Sequence, residues 1–346
     1  MVTRRQALYF CLAALTVTAC DQTKSELADT PSPEPLVING AGSTFPAALY
    51  LRWFAAYNQI DPQIQINYQP VGSAAGEQQF INQTVDFAGS DTGLAAPELQ
   101  KTEAIAIPIT AGAIVLGYNL PGVTELKLSR SVYVDIYRGK ITNWNDPAIA
   151  AINPTQKLPN LPISVIYRSD GSGTTEIFTR HLSAISSEWQ TQVGSGKTVQ
   201  WPAGTGTKGN EGITAQILQA QGVIGYIEFA YAKLNQISSA LLENRSGNYI
   251  SPTLEATAIA INQINLDQKL TGFAPDPTHP QAYPISSYSW ILIYKKYADT
   301  AKAKALNQVL TWALTEGQKL SESQGYVQLN PDTISKSQQA LAQLLT

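Results

Sequence analysis

Small residues follow apolar stretches at four places in the sequence, and each place can begin a helix that binds an anion. Glycine lets a backbone N–H approach a ligand closely, and serine or threonine adds a hydroxyl donor. The first N–H groups of a helix have no partner within it and lie at the positive end of its dipole. Each turn alone is weak evidence for a ligand site, because Gly and Ser also serve as ordinary helix caps. The turns are Gly42-Ser43-Thr44-Phe45, Gly72-Ser73-Ala74-Ala75-Gly76, Gly89-Ser90-Asp91-Thr92 and Asp170-Gly171-Ser172-Gly173-Thr174.

Arg168 stands directly before the last of these turns and adds a positive charge. Its planar guanidinium can donate two parallel hydrogen bonds to a tetrahedral oxyanion. Asp170, two residues later, is placed to pair with Arg168 and fix its orientation. Taken alone, the pair is equally compatible with a local turn and a surface ion pair. Together with the four turns, Arg168 predicts an oxyanion-binding site.

The turns need strands before them and helices after them, and the apolar pattern supplies both. Alternating strand and helix patterns predict α/β layers with mainly parallel sheets, in which ligands bind at the carboxyl ends of the strands. Near the end of the chain, an amphipathic helix with apolar residues from Leu306 to Ala313 is predicted to stop at Gly317. The predicted strands include Leu36–Ile38, Ile64–Ile66, Val85–Ala88, Ile163–Tyr167 and one or two within Ala104–Tyr118.

Length and composition limit the function classes that remain. A chain of 346 residues exceeds the usual size of one core, which favours two domains. The net charge of −3 gives no excess of positive charge, which argues against a nucleic-acid binder that relies on a basic face. Two His and two Cys leave few residues for a zinc site, thiol catalysis or disulfides. We therefore expect no metal, no cofactor and no nucleic-acid partner.

The N-terminus has the pattern of an export signal. Arg4 and Arg5 precede an apolar run from Ala7 to Ala19, which is short for a membrane span. The residues Val17-Thr18-Ala19-Cys20 resemble a bacterial lipobox, in which Cys20 is lipidated and becomes the first residue; an ordinary signal with an incidental Cys20 is the alternative. Residues 1–19 are thus predicted as a lipoprotein signal peptide and 20–35 as a flexible tether to the membrane, with the protein in the cell envelope or periplasm.

Further motifs extend over the chain beyond the N-terminal segment. They are GAGSTFP at 40–46, VDFAGSD at 85–91, GKITNW at 139–144, RSDGSGT at 168–174, GNEG at 209–212 and GVIGY at 222–226. This combination resembles the phosphate-binding proteins of bacterial phosphate (Pst-type) ABC transporters, which belong to the periplasmic binding protein superfamily. Ala74 and Ala75 depart from the family pattern, which often has Ser or Gly there, and Tyr167 stands where some members have a second Arg.

The resemblance implies a type II periplasmic binding fold: two lobes, each a mainly parallel sheet flanked by helices, with two hinge crossings. We expect domain I at 36–111 plus 289–346 and domain II at 112–288, with crossings near 111–117 and 286–291. Phe45 and Gly173 would contribute backbone N–H groups. By motif, the implied phosphate ligands are Thr44, Phe45, Ser73 and Asp91 from one lobe and Arg168, Asp170, Ser172, Gly173 and Thr174 from the other.

Under this resemblance, Asp91 gives the site its selectivity. Phosphate near neutral pH keeps a proton that a carboxylate can accept, whereas sulfate has none and would face a lone-pair clash. Arg168 is the expected bidentate donor. The resemblance further implies a monomer that binds inorganic phosphate and delivers it to the permease subunits, with membrane contact only through the lipid.

Several alternatives stay open at this point. An extracytoplasmic phosphate-ester hydrolase would need a nucleophile with a base or a metal pair, and two His offer little base. A binder of another oxyanion, such as sulfate or molybdate, conflicts with Asp91. A sensor or adhesion protein could use the same fold. Gly194-Ser195-Gly196-Lys197-Thr198 resembles the end of a phosphate-binding P-loop, but Thr191 stands where glycine is required and no convincing strand precedes it, so a P-loop is rejected.

Overall fold

The computed structural model describes residues 34–94 and 96–345. The predicted signal peptide, the predicted lipidation of Cys20 and all but the last two residues of the predicted tether lie outside the described residues. Within the described part, no helix is both long and apolar enough to cross a membrane.

The described residues alternate between strands and helices as the sequence predicts. The strands are β1 (Leu36–Gly42), β2 (Ile64–Pro70), β3 (Phe87–Ser90), β4 (Ala104–Tyr118), β5 (Lys127–Leu128), β6 (Ser164–Arg168), β7 (Thr205–Thr207), β8 (Val223–Glu228), β9 (Ser238–Ser239), β10 (Leu241–Glu243), β11 (Tyr249–Ile250) and β12 (Ser286–Tyr294). The α-helices are α1 (Ala47–Ile60), α2 (Ser73–Ile81), α3 (Ala96–Lys101), α4 (Arg130–Tyr137), α5 (Pro147–Ile152), α6 (Gly173–Ile185), α7 (Ser187–Gln192), α8 (Gly209–Gln219), α9 (Phe229–Leu234), α10 (Leu254–Ile261), α11 (Thr300–Ala313), α12 (Ser321–Gln324) and α13 (Pro331–Ala342). Short 3₁₀ helices span Glu316–Leu320 and Gln343–Leu345.

A continuous sheet joins two lobes, with the order β2-β1-β3-β12-β4-β8-β6-β7. The strands β2, β1 and β3 are parallel, as are β8, β6 and β7, while β12 and β4 run antiparallel to their neighbours. We call β1–β3, β12 and residues 104–113 of β4 the first lobe. The second lobe contains β6–β8 and residues 114–118 of β4. This is the type II fold of two lobes that the sequence indicated.

The long strand β4 belongs to both lobes. It pairs with β12 up to Ala113 and with β8 from Ile114 onward, so its hydrogen-bond partner changes within one strand. Nearly every residue of β4 and β12 is buried. This explains the continuous apolar run, because a strand covered on both faces has no polar face to alternate with.

Helices begin directly after the carboxyl ends of the parallel strands. In the first lobe, α1 and α2 pack on β2, β1 and β3; in the second, α8 packs on β6 and β8, and α6 also contacts β8. The turns between these strands and helices therefore lie at one edge of the sheet, which is where ligands bind in open α/β sheets.

One predicted helix end is wrong. The helix α11 ends at Ala313, and Gly317 lies inside the following 3₁₀ helix, where it is buried. Its carbonyl oxygen accepts a 2.7 Å hydrogen bond from Trp53 Nε1, and an added Cβ would stand 3.1 Å from that nitrogen. Gly317 thus allows close packing against Trp53 and does not terminate the helix.

Candidate functional site

The N-termini of α1 and α2 in the first lobe face those of α6 and α8 in the second. Asn210 of α8 donates through Nδ2 to Thr44 Oγ1 at 2.8 Å and to Thr174 Oγ1 at 3.4 Å. The N–H of Ala74 in α2 donates to the carbonyl oxygen of Gly171, before α6, at 3.0 Å. The bonds between Asn210 and Thr44 and between Ala74 and Gly171 cross from one lobe to the other, whereas the bond to Thr174 links α8 to α6 within the second lobe.

Arg168 ends β6 and is held by Asp170. Its Nε donates to Asp170 Oδ1 at 2.7 Å and its Nη2 to Oδ2 at 2.5 Å, with the Arg168 side chain 1% exposed. Its backbone N–H donates to the Tyr226 hydroxyl at 2.9 Å. Its remaining nitrogen, Nη1, is buried and has no hydrogen-bond partner among the residues that the structure describes. A buried cationic donor without an acceptor is costly unless a ligand supplies one.

The pairing keeps both groups charged. Burial lowers the pKa of Arg168, but the hydrogen bonds and negative charge of Asp170 outweigh it, so this pKa is raised. Burial raises the pKa of Asp170, but the bonds and charge of Arg168 outweigh that effect and lower it. The N–H of Gly209, at the start of α8, also donates to Asp170 Oδ1 at 3.1 Å. The second lobe therefore presents a fixed guanidinium whose Nη1 has no acceptor within the described part of the chain.

Asp91 follows β3 and is completely buried. Ser43 Oγ donates to its Oδ2 at 2.6 Å, and Ser289 Oγ donates to its Oδ1 at 2.8 Å. Burial raises the pKa of Asp91 to about 6, against the lowering effects of both hydroxyls and of the Arg168 charge. The charge of Arg168 thus acts on Asp91 across the space between the lobes.

Two glycines allow the lobes to approach this closely. A Cβ on Gly173, the first residue of α6, would lie 2.5 Å from Ser73 Oγ and 2.7 Å from Asp91 Oδ2. Gly72, before α2, has φ of +94°, a conformation that favours glycine, and its added Cβ would lie 2.5 Å from Asp170 Oδ2. Any larger residue would push the carboxylates away from the facing turn.

The remaining predicted residues shape the same turns. The N–H of Phe45 donates to Ser43 Oγ at 2.9 Å. Ser172 caps α6 through a 3.1 Å bond from the Thr175 N–H to its Oγ. This cap leaves the N–H groups of Gly173 and Thr174 without an acceptor inside the helix, because a helix cannot pair its own first donors.

The structure brings the predicted residues of both lobes into one connected group. Ser73, next to the family departure at Ala74, is fully buried, with its Oγ 3.5 Å from Asp91 Oδ2. The group consists of Thr44, Phe45, Ser73, Asp91, Arg168, Asp170, Ser172, Gly173 and Thr174.

Four further residues of the site were not predicted. Ser43 and Asn210 lie inside motifs that the sequence displays, and each follows a glycine at a turn, which was the available signal. The Tyr226 hydroxyl accepts from the Arg168 N–H and lies 2.6 Å from Thr175 Oγ1; Tyr226 ends the GVIGY motif, whose apolar pattern indicates only a strand. Ser289 is 198 residues from Asp91 and has no local signal.

Comparisons with known proteins bear on the family of this chain. A family model described as the PBP superfamily domain matches residues 26–316. The phosphate-binding protein PstS of Haemophilus influenzae is 40% identical over 303 residues, covering 86% of this chain and 90% of the relative. The PstS protein of Methanocaldococcus jannaschii is 35% identical, covering 90% and 87%. The chain belongs to the PstS family of phosphate-binding proteins.

Solved structures with low sequence identity share the fold of this PstS family member. A phosphate-binding protein from Stenotrophomonas maltophilia has a TM-score of 0.66 at 18% identity, covering 88% of this chain and 93% of its own. A high-affinity periplasmic phosphate-binding protein bound with phosphate has a TM-score of 0.67 at 22% identity, covering 87% and 92%. Both support the assignment of the two-lobed fold.

Proposed function

We propose that this protein binds inorganic phosphate between its lobes and delivers it to the permease subunits of a phosphate ABC transporter. The observation that carries the proposal is the buried Nη1 of Arg168, which has no acceptor among the residues that the structure describes, together with the buried Asp91, which faces Gly173 of the second lobe. A cationic donor and a carboxylate acceptor together match an anion that still carries a proton. The names of the PstS relatives support phosphate as that anion.

The proposed donors surround the anion from both lobes. Asp170 occupies Nε and one hydrogen of Nη2, so the Nη1–Nη2 edge of Arg168 remains for bidentate donation. The N–H of Gly173, the N–H of Phe45 in place of its bond to Ser43 Oγ, and the hydroxyls of Thr44, Ser73, Ser172 and Thr174 complete the proposed set. The helix N-termini add positive dipole ends, so little net charge is needed in the site.

Asp91 is the proposed selectivity element. As an acceptor, Asp91 would accept a hydrogen bond from the O–H of phosphate. It would repel sulfate, because sulfate oxygens carry lone pairs and no proton and would be buried against the carboxylate oxygens. An unsatisfied buried acceptor costs about 1–3 kcal/mol, and more when it is charged. Ser43 and Ser289 support this role by holding the carboxylate oxygens in place.

Lobe closure is the proposed mechanism of capture. β4 changes its partner between residues 113 and 114, inside the predicted crossing at 111–117. This supports two lobes near the predicted bounds of 36–111 plus 289–346 and 112–288, with a hinge where β4 and β12 pass from one lobe to the other. We propose that the protein is a monomer in the cell envelope, anchored through lipidated Cys20. The relatives are named as binding proteins, and we propose binding without catalysis.

Calorimetric titration of the purified protein, freed of bound anion, tests the proposal. We expect one phosphate to bind tightly per chain, and sulfate to bind at least about a hundredfold more weakly. A third titration uses arsenate, which also keeps a proton near neutral pH. Absence of heat with phosphate would refute the proposed function. Equal affinities for phosphate and sulfate would refute the role of Asp91 alone.

A further inference from the structure

A second contact between the lobes lies beside the anion site. Glu77 of α2 forms an ion pair with Lys197, which lies in the loop between α7 and β7. Both side chains are largely buried, at 11% and 22% exposed. The other oxygen of Glu77, Oε1, accepts a 2.5 Å bond from Ser90 Oγ, the residue before Asp91. The pair therefore connects two lobes at a protected position.

Lys197 is attached to the anion-binding turn through its main chain. Its carbonyl oxygen accepts the N–H of Ser172 at 2.9 Å, and Ser172 in turn caps α6. The side chain of Lys197 thus reaches the first lobe while its backbone supports the second. This is the lysine of the Gly194–Thr198 segment that resembles a P-loop, and here its ammonium meets a carboxylate of the chain itself.

Glu77 lies on the helix whose first turn borders the site. One turn earlier, Ala74 donates its N–H to Gly171 across the lobes. Glu77 and Ala74 on α2 therefore meet Lys197 and Gly171 along one edge of the cleft. Both contacts would break if the lobes separated along this edge.

The electrostatics make the ion pair depend on closure. Burial raises the pKa of Glu77, while the charge and hydrogen bond of Lys197 lower it, so the buried carboxylate relies on the ammonium for its charge. In an opened cleft, water would solvate both groups. The attraction between them is strong only when the lobes exclude water from the pair.

We propose that the Glu77–Lys197 ion pair is a closure latch that slows release of the bound anion. This inference rests on the proposed phosphate binding and assigns to Glu77 and Lys197 a positioning role for the closed state, without contact to the ligand. A latch made after the ligand enters affects the dissociation rate, whereas the association rate depends on the open cleft.

Dissociation of radiolabelled phosphate, chased with excess unlabelled phosphate, tests the latch. We expect K197M and E77Q each to release phosphate about 3- to 10-fold faster, because a partly exposed ion pair is lost. Association rates should stay within about twofold of wild type. The double variant E77Q/K197M should release no faster than the faster single variant, since both remove the same interaction.

The control is K302M, because Lys302 pairs with Asp86 at comparable burial, 28% and 17% exposed, inside the first lobe. It should release phosphate at the wild-type rate. A single variant within twofold of wild type, or a double variant whose effect is the product of the two, would overturn the latch. Failure of the wild type to bind phosphate would overturn the proposed function instead, so the two failures are distinguishable.

Discussion

The two lobes bring opposite charges to the cleft and stabilise them differently. In the second lobe, Arg168 is paired with Asp170 two residues away, so its charge is balanced before any ligand arrives. In the first lobe, burial raises the pKa of Asp91 to about 6, against the lowering effects of two serine hydroxyls and of the Arg168 charge. Under the proposed function, the second lobe attracts the anion, and the first lobe distinguishes an anion that carries a proton from one that does not.

The largest expected effect comes from removing the cation of the second lobe. The R168A variant should bind phosphate weaker by about 3–5 kcal/mol, because the closed site loses its charged donors and leaves Asp170 with fewer partners. Calorimetry measures this loss. The control is R180A, which removes an ion-paired arginine farther along α6 and should leave affinity unchanged. An R168A protein within tenfold of wild-type affinity would contradict the assigned division of roles.

A smaller effect is expected from neutralising the carboxylate of the first lobe. The D91N variant should narrow the gap between phosphate and sulfate affinities by about 1–3 kcal/mol, because an amide can donate to sulfate where a carboxylate cannot. Competitive titration of both anions measures the ratio. The D86N variant is the matched control, since Asp86 lies at the other end of the same strand. An unchanged ratio in D91N would show that selectivity arises elsewhere.

The smallest effect concerns stability and its dependence on pH. The pKa of Asp91 is raised from its ordinary value of 3.8 to about 6. The folded protein therefore binds a proton on Asp91 more tightly than the unfolded chain does, and protonation of Asp91 stabilises the folded state. This stability is fully present below about pH 4 and is lost as pH rises through about 6. Ligand-free D91N should thus gain about 1 kcal/mol over wild type at pH 8, with about 3 kcal/mol as a ceiling, and no gain at pH 4. Denaturant unfolding at pH 4 and pH 8 measures the free energies of unfolding of D91N and wild type. An equal difference between the two proteins at both pH values would contradict the link between the pKa of Asp91 and stability.

Local sequence patterns predicted the parts of the site that one segment can hold. The turn from Arg168 to Thr174 contains a strand end, a charged donor, a cap and a helix start, so its geometry follows from neighbouring residues. The apolar run from Ala104 to Tyr118 was equally informative, although only the structure shows that it is a single strand shared by both lobes.

Contacts between distant segments were beyond such patterns. The Ser289 hydroxyl reaches Asp91 next to a shift in register between β12 and β4, where Ser289 pairs with Thr110 and Trp290 with Pro108. Register shifts of this kind redirect side chains, and a serine in the sequence gives no signal that predicts one. Likewise, Lys197 and Glu77 are 120 residues apart in the sequence, and their ion pair depends on where the fold places α2 and the loop between α7 and β7.

The shared strand β4 has a consequence for dissecting the molecule. A fragment that ended at Ala113 would leave β4 without its neighbour β12, and one that began at Ile114 would leave β12 without the part of β4 that it pairs with. Neither half would be a self-sufficient folding unit, because each would expose unpaired backbone groups and the apolar side chains around them. The proposed opening of the cleft would accordingly be a bend within the continuous strand β4, which joins the two lobes without a break.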